Sequence, residues 1–293
     1  MPLLKLWLPC GFLLALTGVA TAGQGKLHPE LLTLAREAPY PATLVVQAPG
    51  SPTPWVSDLA AAQRRSVPAS TFKIASTLAA LEAGLVTDAD TILPWDGVRR
   101  DRKEINGPLP LREAFHRSAL PHYQALVARL GPGAMATFLG RVSYGNAQSD
   151  DTLEFWLRGP LAISPLEQVA FLEALSRSAL AADSEAQRRL WALMEKTPIG
   201  GRAWRGKTGW SRPAGGPDVG WFVGALDAPE GRCLVALRLE AEHPPAATFL
   251  PQREALAKAA LGRIPGCGGQ GADSKPRGST GAPGVAIPPL RRS

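Results

Sequence analysis

The chain has 293 residues, 45% of them hydrophobic, and carries a formal net charge of +7. A chain of this length can bury a sizeable core in one large domain or two lobes. The basic residues are spread along the sequence, and no basic run is interleaved with aromatic residues, which argues against binding to nucleic acid. The four histidines lack metal-ligand spacing and no Cys-x-x-Cys pair is present, so we expect no metal site.

Residues 1–22 are predicted to be a secretory signal. Lys5 precedes an apolar run over residues 6–16, and Ala20-Thr21-Ala22 supplies small residues for cleavage near Ala22. The apolar run is too short and wrongly flanked for a membrane-spanning helix. We therefore expect a periplasmic or secreted protein without a stable membrane anchor.

Two cysteines, Cys233 and Cys267, remain after the signal. An oxidising compartment permits them to pair. Cys233 falls within a predicted strand, whereas Cys267 lies at the edge of a segment rich in Gly, Pro, Ser and Arg, so the sequence leaves the pairing open. Because this last segment has no apolar periodicity, we predict a disordered tail over residues 266–293.

The predicted elements divide the chain into three parts. A helix over 28–38 and strands over 42–48 and 54–59 come first, followed by a helical middle over 68–201, with segments at 111–130, 133–142, 165–180 and 185–194. Strands return at 204–210, 219–227 and 232–241, before a helix at 252–261.

The economical arrangement of these elements is an α+β fold. One antiparallel sheet is built from both chain ends with flanking helices, and an all-helical lobe is inserted between them. The predicted domain spans residues 23–265, with the sheet lobe at about 23–66 and 203–265 and the helical lobe at about 67–202.

The clearest local chemistry lies in an apolar helix that begins at Ser70 and stops near Gly84. Only Lys73 and Glu82 carry charge in this helix and apolar residues lie on every face, so it is predicted to be buried. A buried ammonium without a partner tends to lose its proton, which makes Lys73 a base. Ser70 lies one turn away on the same face, as an activated nucleophile requires. The alternative is a lysine whose stem is buried and whose amine reaches water.

Three further motifs follow along the chain. Ser118, by default a helix-terminus serine, stands just before Ala119-Leu120-Pro121. Tyr144-Gly145-Asn146 is by default a polar turn, although Tyr occurs only three times in the chain, which makes a chance match improbable. Lys207-Thr208-Gly209 falls in a predicted strand, where Gly permits close approach of a backbone or a ligand, and where Lys and Thr can bind an anionic group.

In this order the motifs resemble those of the penicillin-recognising serine enzymes, and most closely the class D, oxacillinase-type β-lactamases. The resemblance covers the mature chain to about Gly262 and rests on residues 68–74 (PASTFKI), 94–97 (PWDG), 118–119, 144–146, 155–157 (FWL), 159–161, 163–164, 207–210 (KTGW), 220–221, 223–224, 250–251 and 253. A class A enzyme is disfavoured because Ser-Asp-Asn and Glu-x-x-Leu-Asn are missing. An α/β-hydrolase is disfavoured because the Gly-x-Ser-x-Gly elbow is missing.

The resemblance implies a hydrolase of β-lactam antibiotics in which Ser70 attacks the lactam carbonyl. Lys73 is implied to be carbamylated by CO2, as N6-carboxylysine, and the carbamate to be the general base for acylation and deacylation. Trp156 is implied to hold the carbamate by its indole N–H. Ser118 is implied to relay a proton to the leaving nitrogen. No cofactor other than this reversible CO2 adduct is implied.

The resemblance also implies a set of substrate-binding residues, which are Tyr144, Asn146, Lys207, Thr208, Gly209, Trp210, Arg253 and Leu120. Within this set, Lys207, Thr208 and Arg253 receive the substrate carboxylate, and the Trp210 N–H forms an oxyanion hole with the N–H of Ser70. Leu120 stands where the family usually has Val, and its extra methylene is expected to crowd the carbamate or the deacylating water.

Two other activities use the same acylation machinery. A cell-wall D,D-peptidase or transpeptidase deacylates lactams slowly, and Trp156 and the lack of a second Ser-x-Asn motif disfavour it. A lactam-binding sensor domain stays acylated. It is disfavoured because such modules follow a multi-span membrane protease, whereas a cleavable signal alone is expected in this sequence. We therefore predict a class D β-lactamase acting on a small-molecule β-lactam, with drug spectrum and oligomeric state left open.

Overall fold

The computed structural model describes residues 24–213 and 215–268. The predicted signal over 1–22 and residues 269–293 of the predicted tail lie outside this part of the chain. None of the described helices combines the length and apolarity needed to cross a membrane.

The elements follow the predicted order. The strands are β1 (Lys26–Leu27), β2 (Ala42–Gln47), β3 (Trp55–Val56), β4 (Ile92–Leu93), β5 (Leu109–Pro110), β6 (Glu195–Ile199), β7 (Arg202–Ser211), β8 (Asp218–Ala228) and β9 (Gly231–Ala241). The helices are α1 (Pro29–Glu37), α2 (Leu59–Gln63), α3 (Lys73–Glu82), α4 (Leu111–His116), α5 (Leu120–Leu130), α6 (Pro132–Arg141), α7 (Pro165–Ser176), α8 (Ser184–Leu193) and α9 (Ala246–Arg263). Short 3-10 helices cover Ala69–Phe72 and Lys103–Ile105.

A seven-stranded sheet joins the two ends of the chain, in the order β1-β3-β2-β9-β8-β7-β6. Its neighbouring strands are antiparallel, except that β1 is parallel to β3. The early strand β2 pairs along its whole length with the late strand β9, from Ala42 opposite Leu239 to Gln47 opposite Leu234. The α+β fold with a sheet built from both chain ends is thereby confirmed.

Two apolar cores cover opposite faces of this sheet. Leu44 and Val46 of β2 pack in one core with residues of α1 and α9. Val45, between them, packs in the other core with residues of α3 and α7. Because successive side chains of a strand point to opposite faces, the sheet is a middle layer that is covered on both sides. The α3 side of the sheet carries the helical lobe.

Several elements differ from the prediction. The strand predicted over 54–59 is limited to β3, the helix predicted from Ser70 begins as a 3-10 helix, and the helix predicted over 252–261 begins at Ala246. The short strands β1, β4 and β5 and the helix α2 were not predicted.

Two further differences bear on the site and on the edge of the sheet. The helix predicted over 111–130 is broken at Ser118, which has a positive φ of 52°, so that α4 ends at His116 and α5 begins at Leu120. Residues 195–199, predicted within the helical middle, form strand β6 on the edge of the sheet. This strand contains Pro198 and is mostly exposed, so it lacks the apolar alternation by which a strand is recognised in a sequence.

The folded domain also extends further than predicted, since Cys267 is fully buried and bonded to Cys233 in β9. The two Cα atoms are 5.6 Å apart. Nη1 of Arg202 donates to the carbonyl oxygen of Cys267 at 3.0 Å. The structure thus answers the question of pairing that the sequence left open, and it includes residues 266–268 in the domain.

The disulfide is expected to stabilise the domain. Its cysteines are separated by 34 positions, and closing a loop of that size restricts the unfolded chain by about 4 kcal/mol. We expect the Cys233→Ala/Cys267→Ala protein to lose roughly 3 to 4 kcal/mol of unfolding free energy in urea denaturation. Dithiothreitol should destabilise the wild-type protein similarly and leave the double variant unchanged, whereas equal midpoints for all samples would contradict the prediction.

Candidate active site

Ser70 lies in the 3-10 helix Ala69–Phe72, which runs directly into α3. Its Oγ is 3.2 Å from Nζ of Lys73, within hydrogen-bond distance. The Ser70 residue is partly exposed, whereas Lys73 is 0% exposed. The pair therefore consists of a hydroxyl that a ligand can reach and a buried amine behind it. The alternative of a lysine whose amine reaches water does not hold here.

The surroundings of Lys73 favour its neutral form. Burial, with a smaller contribution from the charge of Arg102, lowers the pKa of Lys73 to about 7. The Nζ atom lies 4.8 Å from the centroid of the Tyr123 ring, which is buried in the same core. A large fraction of the amine is thus unprotonated at neutral pH and can accept the proton of Ser70.

Trp156 packs directly behind the nucleophile. Its ring stacks on Phe72, with centroids 5.0 Å apart and an interplanar angle of 23°. Its backbone carbonyl accepts a hydrogen bond of 2.9 Å from Ala69 N–H. The indole Nε1 is buried and has no hydrogen-bond partner among the described residues. An unpaired buried donor costs about 1 to 3 kcal/mol, so this atom is suited to an acceptor that the protein itself does not supply.

Strand β7 approaches the nucleophile by its edge. β6 pairs with β7 only as far as Arg205, which leaves the following residues to lie against the 3-10 helix. Gly209 marks the closest approach, because a Cβ atom there would lie 3.0 Å from the carbonyl oxygen of Pro68 and 3.3 Å from Cβ of Ala69. The glycine of the Lys-Thr-Gly motif thus accommodates another backbone segment. Trp221 on β8 secures the same turn by donating its indole N–H to the Val67 carbonyl at 2.9 Å.

Lys207 and Ser118 meet beside the nucleophile. The Nζ of Lys207 donates to Ser118 Oγ and, at 2.9 Å, to the carbonyl oxygen of Thr208. Lys207 is buried, and its pKa is well below its usual value because of burial first and the charges of Lys73 and Arg253 next. Two mutually repelling buried amines make a site that gains stability when an anion enters it.

Arg253 extends from α9 to the backbone of β7. Its Nη1 donates to the Gly209 carbonyl and its Nε to the Leu250 carbonyl, both at 2.8 Å. Burial lowers the pKa of Arg253 to about 10. The structure therefore brings the guanidinium of Arg253 to the Lys-Thr-Gly segment, where the sequence predicts that the substrate carboxylate binds. That contact with substrate stays a prediction.

The Tyr144-Gly145-Asn146 motif makes contacts within the protein. Tyr144 is fully buried. Asn146 donates from Nδ2 to the Pro160 carbonyl at 2.7 Å and accepts at Oδ1 from Ala162 N–H at 3.0 Å. Gly145 has a φ of 57°, and a Cβ atom there would lie 2.2 Å from the Ala162 carbonyl oxygen. The motif ties α6 to the segment that follows Trp156, and its predicted contact with substrate remains untested.

Two more of the predicted residues lie at separate places around the nucleophile. Leu120 is the first residue of α5 and is partly buried against the core that includes Phe72 and Tyr123. Trp210 is partly exposed at the end of β7 and donates its indole N–H to the buried Asp218 at 3.0 Å.

The sequence analysis missed two residues that shape this site. Gln168 of α7 donates to Thr71 Oγ1 at 2.9 Å, and this hydroxyl donates in turn to the Pro68 carbonyl at 2.6 Å. The two hydrogen bonds stabilise the turn from Pro68 to Thr71, which contains Ser70. Gln168 lies among the apolar residues of α7, and this position on the buried face was a usable signal. Arg102, in a charged loop without periodicity, offered none.

Comparisons with known proteins agree with this geometry. Residues 30–262 match the family described as the penicillin binding protein transpeptidase domain. The chain is 38% identical to beta-lactamase OXA-2 of Salmonella typhimurium over 212 residues, which is 71% of this chain and 74% of that protein. It is 32% identical to beta-lactamase OXA-48 of Klebsiella pneumoniae over 208 residues, 71% of this chain and 77% of the relative.

Solved structures show the same similarity. FUS-1 (OXA-85), a class D beta-lactamase from Fusobacterium nucleatum subsp. polymorphum, superposes with a TM-score of 0.75 at 29% identity, covering 80% of this chain and 97% of that one. A class D beta-lactamase from Sebaldella termitidis gives a TM-score of 0.75 at 27% identity, covering 81% and 97%. The chain belongs to the penicillin-binding protein transpeptidase family and, within it, to the class D β-lactamases.

Proposed function

We propose that this protein hydrolyses β-lactams through a covalent acyl-enzyme on Ser70. The observation that carries the proposal is the pair formed by the accessible Ser70 hydroxyl and the buried Lys73 amine, 3.2 Å apart. A pKa of about 7 for Lys73 supports its role as a base at neutral pH. The beta-lactamases OXA-2 and OXA-48 among its relatives support the choice of substrate class.

Acylation requires one proton to leave Ser70 and one to reach the lactam nitrogen. The base at Lys73 takes the Ser70 proton as Oγ bonds to the carbonyl carbon, and the C–N bond of the lactam breaks when the nitrogen is protonated. Ser118 is the proposed proton relay: its hydroxyl gives its proton to the nitrogen while its Oγ accepts one from Nζ of Lys207. The proton held at Lys73 then passes to Lys207, which leaves the base at Lys73 free again. In deacylation the base at Lys73 takes a proton from water as the water oxygen bonds to the acyl carbon. The bond from that carbon to Ser70 Oγ then breaks, and Oγ takes the proton back from Lys73.

The carbonyl oxygen becomes negative in the tetrahedral intermediate, and the backbone N–H groups of Ser70 and Trp210 are the proposed donors to it. Each such donor contributes about 3 to 4 kcal/mol. Their separation depends on how closely β7 lies to the nucleophile turn, which is set by the contact of Gly209 with Pro68 and Ala69. The packing of Gly209 thus determines how the two N–H groups are placed around the oxyanion.

The substrate carboxylate is proposed to bind at Lys207, Thr208 and Arg253. The charges of Arg253 and Lys73 both lower the pKa of Lys207. An incoming carboxylate reverses that effect and favours the protonated, anion-binding form of Lys207. Binding at this point also directs the lactam carbonyl toward Ser70.

Carbamylation of Lys73 is part of the proposal. CO2 adds to a neutral amine, and the burial of Lys73 supports a neutral population. The unpaired indole N–H of Trp156, stacked against Phe72 in the turn that carries Ser70, supports a place for the negative oxygen. When present, the carbamate supplies a carboxylate oxygen as the base. Leu120 is expected to limit the room around it.

Export is also proposed. Residues 1–22 have the pattern of a cleavable signal. The Cys233–Cys267 disulfide supports an oxidising compartment such as the periplasm.

Replacing the nucleophile tests the proposal directly. Ser70→Ala is expected to abolish both nitrocefin hydrolysis and the mass increase on exposure to a penicillin, since no other hydroxyl replaces Oγ next to Lys73. Ser76→Ala is a matched control, because Ser76 lies in the same buried helix and its hydroxyl has no partner among the described residues. An adduct on the Ser70→Ala protein, or none on the wild-type protein, would contradict the assignment.

Carbamylation predicts a dependence on bicarbonate and pH. The pKa of Lys73 is depressed to about 7, so its amine becomes protonated as the pH falls through 7. At limiting bicarbonate the hydrolysis rate should therefore fall in that range and recover when bicarbonate is added. Labelled 13CO2 should give a carbamate signal that is lost on acidification. A rate independent of bicarbonate together with no labelled signal would favour an uncarbamylated Ser-Lys pair of the cell-wall peptidase kind.

Trp156→Phe isolates the indole N–H, because the ring that stacks on Phe72 is kept. We expect Ser70 still to be acylated. The bicarbonate concentration that is required should rise and kcat should fall roughly 10-fold or more, since the charged carbamate on Lys73 loses the indole N–H as its donor. Trp191→Phe is the control, because its Nε1 is also buried without a partner among the described residues but stacks between Arg205 and Arg232. Equal kinetics for the two variants would contradict this role of Trp156.

Gly209→Ala tests the oxyanion geometry. The added methyl group meets the backbone of Pro68, so β7 and the nucleophile turn must separate. We expect kcat/KM to fall about 100-fold, as for loss of one oxyanion donor. Gly140→Ala, at a glycine whose added Cβ meets nothing within 4 Å, is the control. Unchanged kcat/KM in the Gly209→Ala protein would show that the close approach has no catalytic role.

A further inference from the structure

Arg102 lies in the segment between β4 and β5, beside the turn that carries Ser118. Its Nη2 donates to the carbonyl oxygen of Arg117 at 2.7 Å, and its Nε donates to Glu104 Oε1 at 2.9 Å. In the opposite direction, Nη1 of Arg117 donates to the Glu104 carbonyl at 2.7 Å. Arg102 and Arg117 therefore link the segment between β4 and β5 to the turn after α4 by hydrogen bonds. The bond from Arg102 ends on the carbonyl of the peptide that immediately precedes Ser118.

This peptide adjoins an unfavourable backbone conformation. Ser118 has a φ of 52°, in the left-handed region that non-glycine residues adopt at a cost of about 1 to 2 kcal/mol. Within its own turn, Ser118 N–H donates to the Phe115 carbonyl at 3.1 Å and Ala119 N–H to the Ala114 carbonyl at 2.9 Å. The hydrogen bond from Arg102 is a contact from outside the turn that fixes the orientation of the Arg117 carbonyl, and thereby the position of Ser118 against Lys207.

The charge of Arg102 also acts on the two buried amines. Burial is the main cause of the lowered pKa of Lys73, and the charge of Arg102 is the second cause. The charge of Arg102 also contributes to the lowered pKa of Lys207. Lys73 contacts the Ser70 hydroxyl and the Tyr123 ring, and Lys207 contacts the Ser118 hydroxyl and the Phe115 ring. The charge that influences Lys73 is that of Arg102, and the charges that influence Lys207 are those of Lys73, Arg253, Lys196 and Arg102. The Arg102 side chain is 51% exposed and paired with Glu104, so its effect is screened by solvent and salt.

We propose that Arg102 is a positioning residue of the active site, which holds the Ser118 turn through the Arg117 carbonyl and adds its positive charge to the field at Lys73 and Lys207. The inference rests on the proposed function, because Ser118 and Lys73 matter as proton carriers in that reaction. Arg102 touches no reacting atom. Its geometric and electrostatic contributions can be separated, since one requires the shape of the guanidinium and the other only its charge.

Two substitutions separate them. Arg102→Lys keeps the charge, but a single ammonium does not reproduce the fork that bonds both Glu104 and the Arg117 carbonyl. We expect kcat/KM for nitrocefin to fall roughly three- to tenfold, the equivalent of one hydrogen bond, with the acid limb of the pH profile unmoved. Arg102→Gln removes the charge, so the Lys73 amine is protonated more easily. The acid limb should then move to higher pH by on the order of half a unit, as expected for a screened charge.

Two features of the measurement distinguish this role from a purely structural one. The shift of the acid limb in the Arg102→Gln protein should shrink in 1 M NaCl, where charges beyond about 3 Å are screened. Arg99→Gln removes the same charge from an exposed arginine of the same segment and should leave the profile unchanged. Circular dichroism and thermal unfolding of each variant check that the domain is folded.

A readout independent of activity completes the test. In protein labelled with 13Cε-lysine, the NMR titration of Lys73, assigned with a Lys73→Arg variant, should show a higher pKa in the Arg102→Gln protein than in the wild type and in Arg99→Gln. An unmoved titration, or kcat/KM within twofold of wild type for both Arg102 variants, overturns the inference. If the wild-type protein is neither acylated nor active, the proposed function fails instead, and the titration still reports whether Arg102 acts on Lys73.

Discussion

The burial of one amine governs the architecture of this site. Lys73 has no exposed surface, and the groups around it are a hydroxyl, an aromatic face and further cations. In water such an amine is a cation and a poor base, whereas in the apolar centre of the helical lobe the charged form is penalised and the free electron pair becomes available at neutral pH. The base and the anion-attracting field thus have a single physical origin, which is the exclusion of water from the nitrogens of Lys73 and Lys207.

The second constraint is the contact between two backbone segments that are far apart in sequence. The nucleophile turn belongs to the helical lobe, while β7 and α9 come from the C-terminal part of the chain. Gly209 allows the strand to approach the Pro68 carbonyl, and Arg253 bonds to the carbonyl of that same glycine. The site is therefore assembled at a seam between the lobes, and its accuracy depends on packing in the sheet as much as on the residues that touch a substrate.

Much of this arrangement could be predicted from the sequence because it depends on local pattern. The apolar residues on every face of α3 predicted that Lys73 is buried. The early and late apolar strands predicted one sheet closed by both chain ends. What could not be predicted depends on tertiary contacts. The positive φ of Ser118 has no sequence marker. The exposed β6 becomes a strand only because β7 is beside it, and the pairing of Cys267 needed the end of α9 to be placed near β9.

The residues of the site divide in the same way. Ser70, Lys73, Ser118 and Lys207 were selected from their motifs, and the structure brings them together. Tyr144 and Asn146 belong to an equally distinctive motif, yet their observed contacts are within the protein. The sequence could not reveal this, because a rare triplet can mark either a strained turn or a contact with a ligand. The roles of these residues toward a substrate, like the carbamate on Lys73, remain predictions.

The pairing of β2 with β9 has a consequence for the order of events during folding. The register that places Ala42 opposite Leu239 joins segments from near opposite ends of the domain, and such distant pairings form late because a long loop must close first. Lys207 of β7 contacts Ser118 only when β7 is in place, so we expect the complete site to be assembled at a late step of folding. The reactivity of Ser70 is therefore expected to depend on closure of the sheet, although Ser70 and Lys73 themselves lie in the helical lobe.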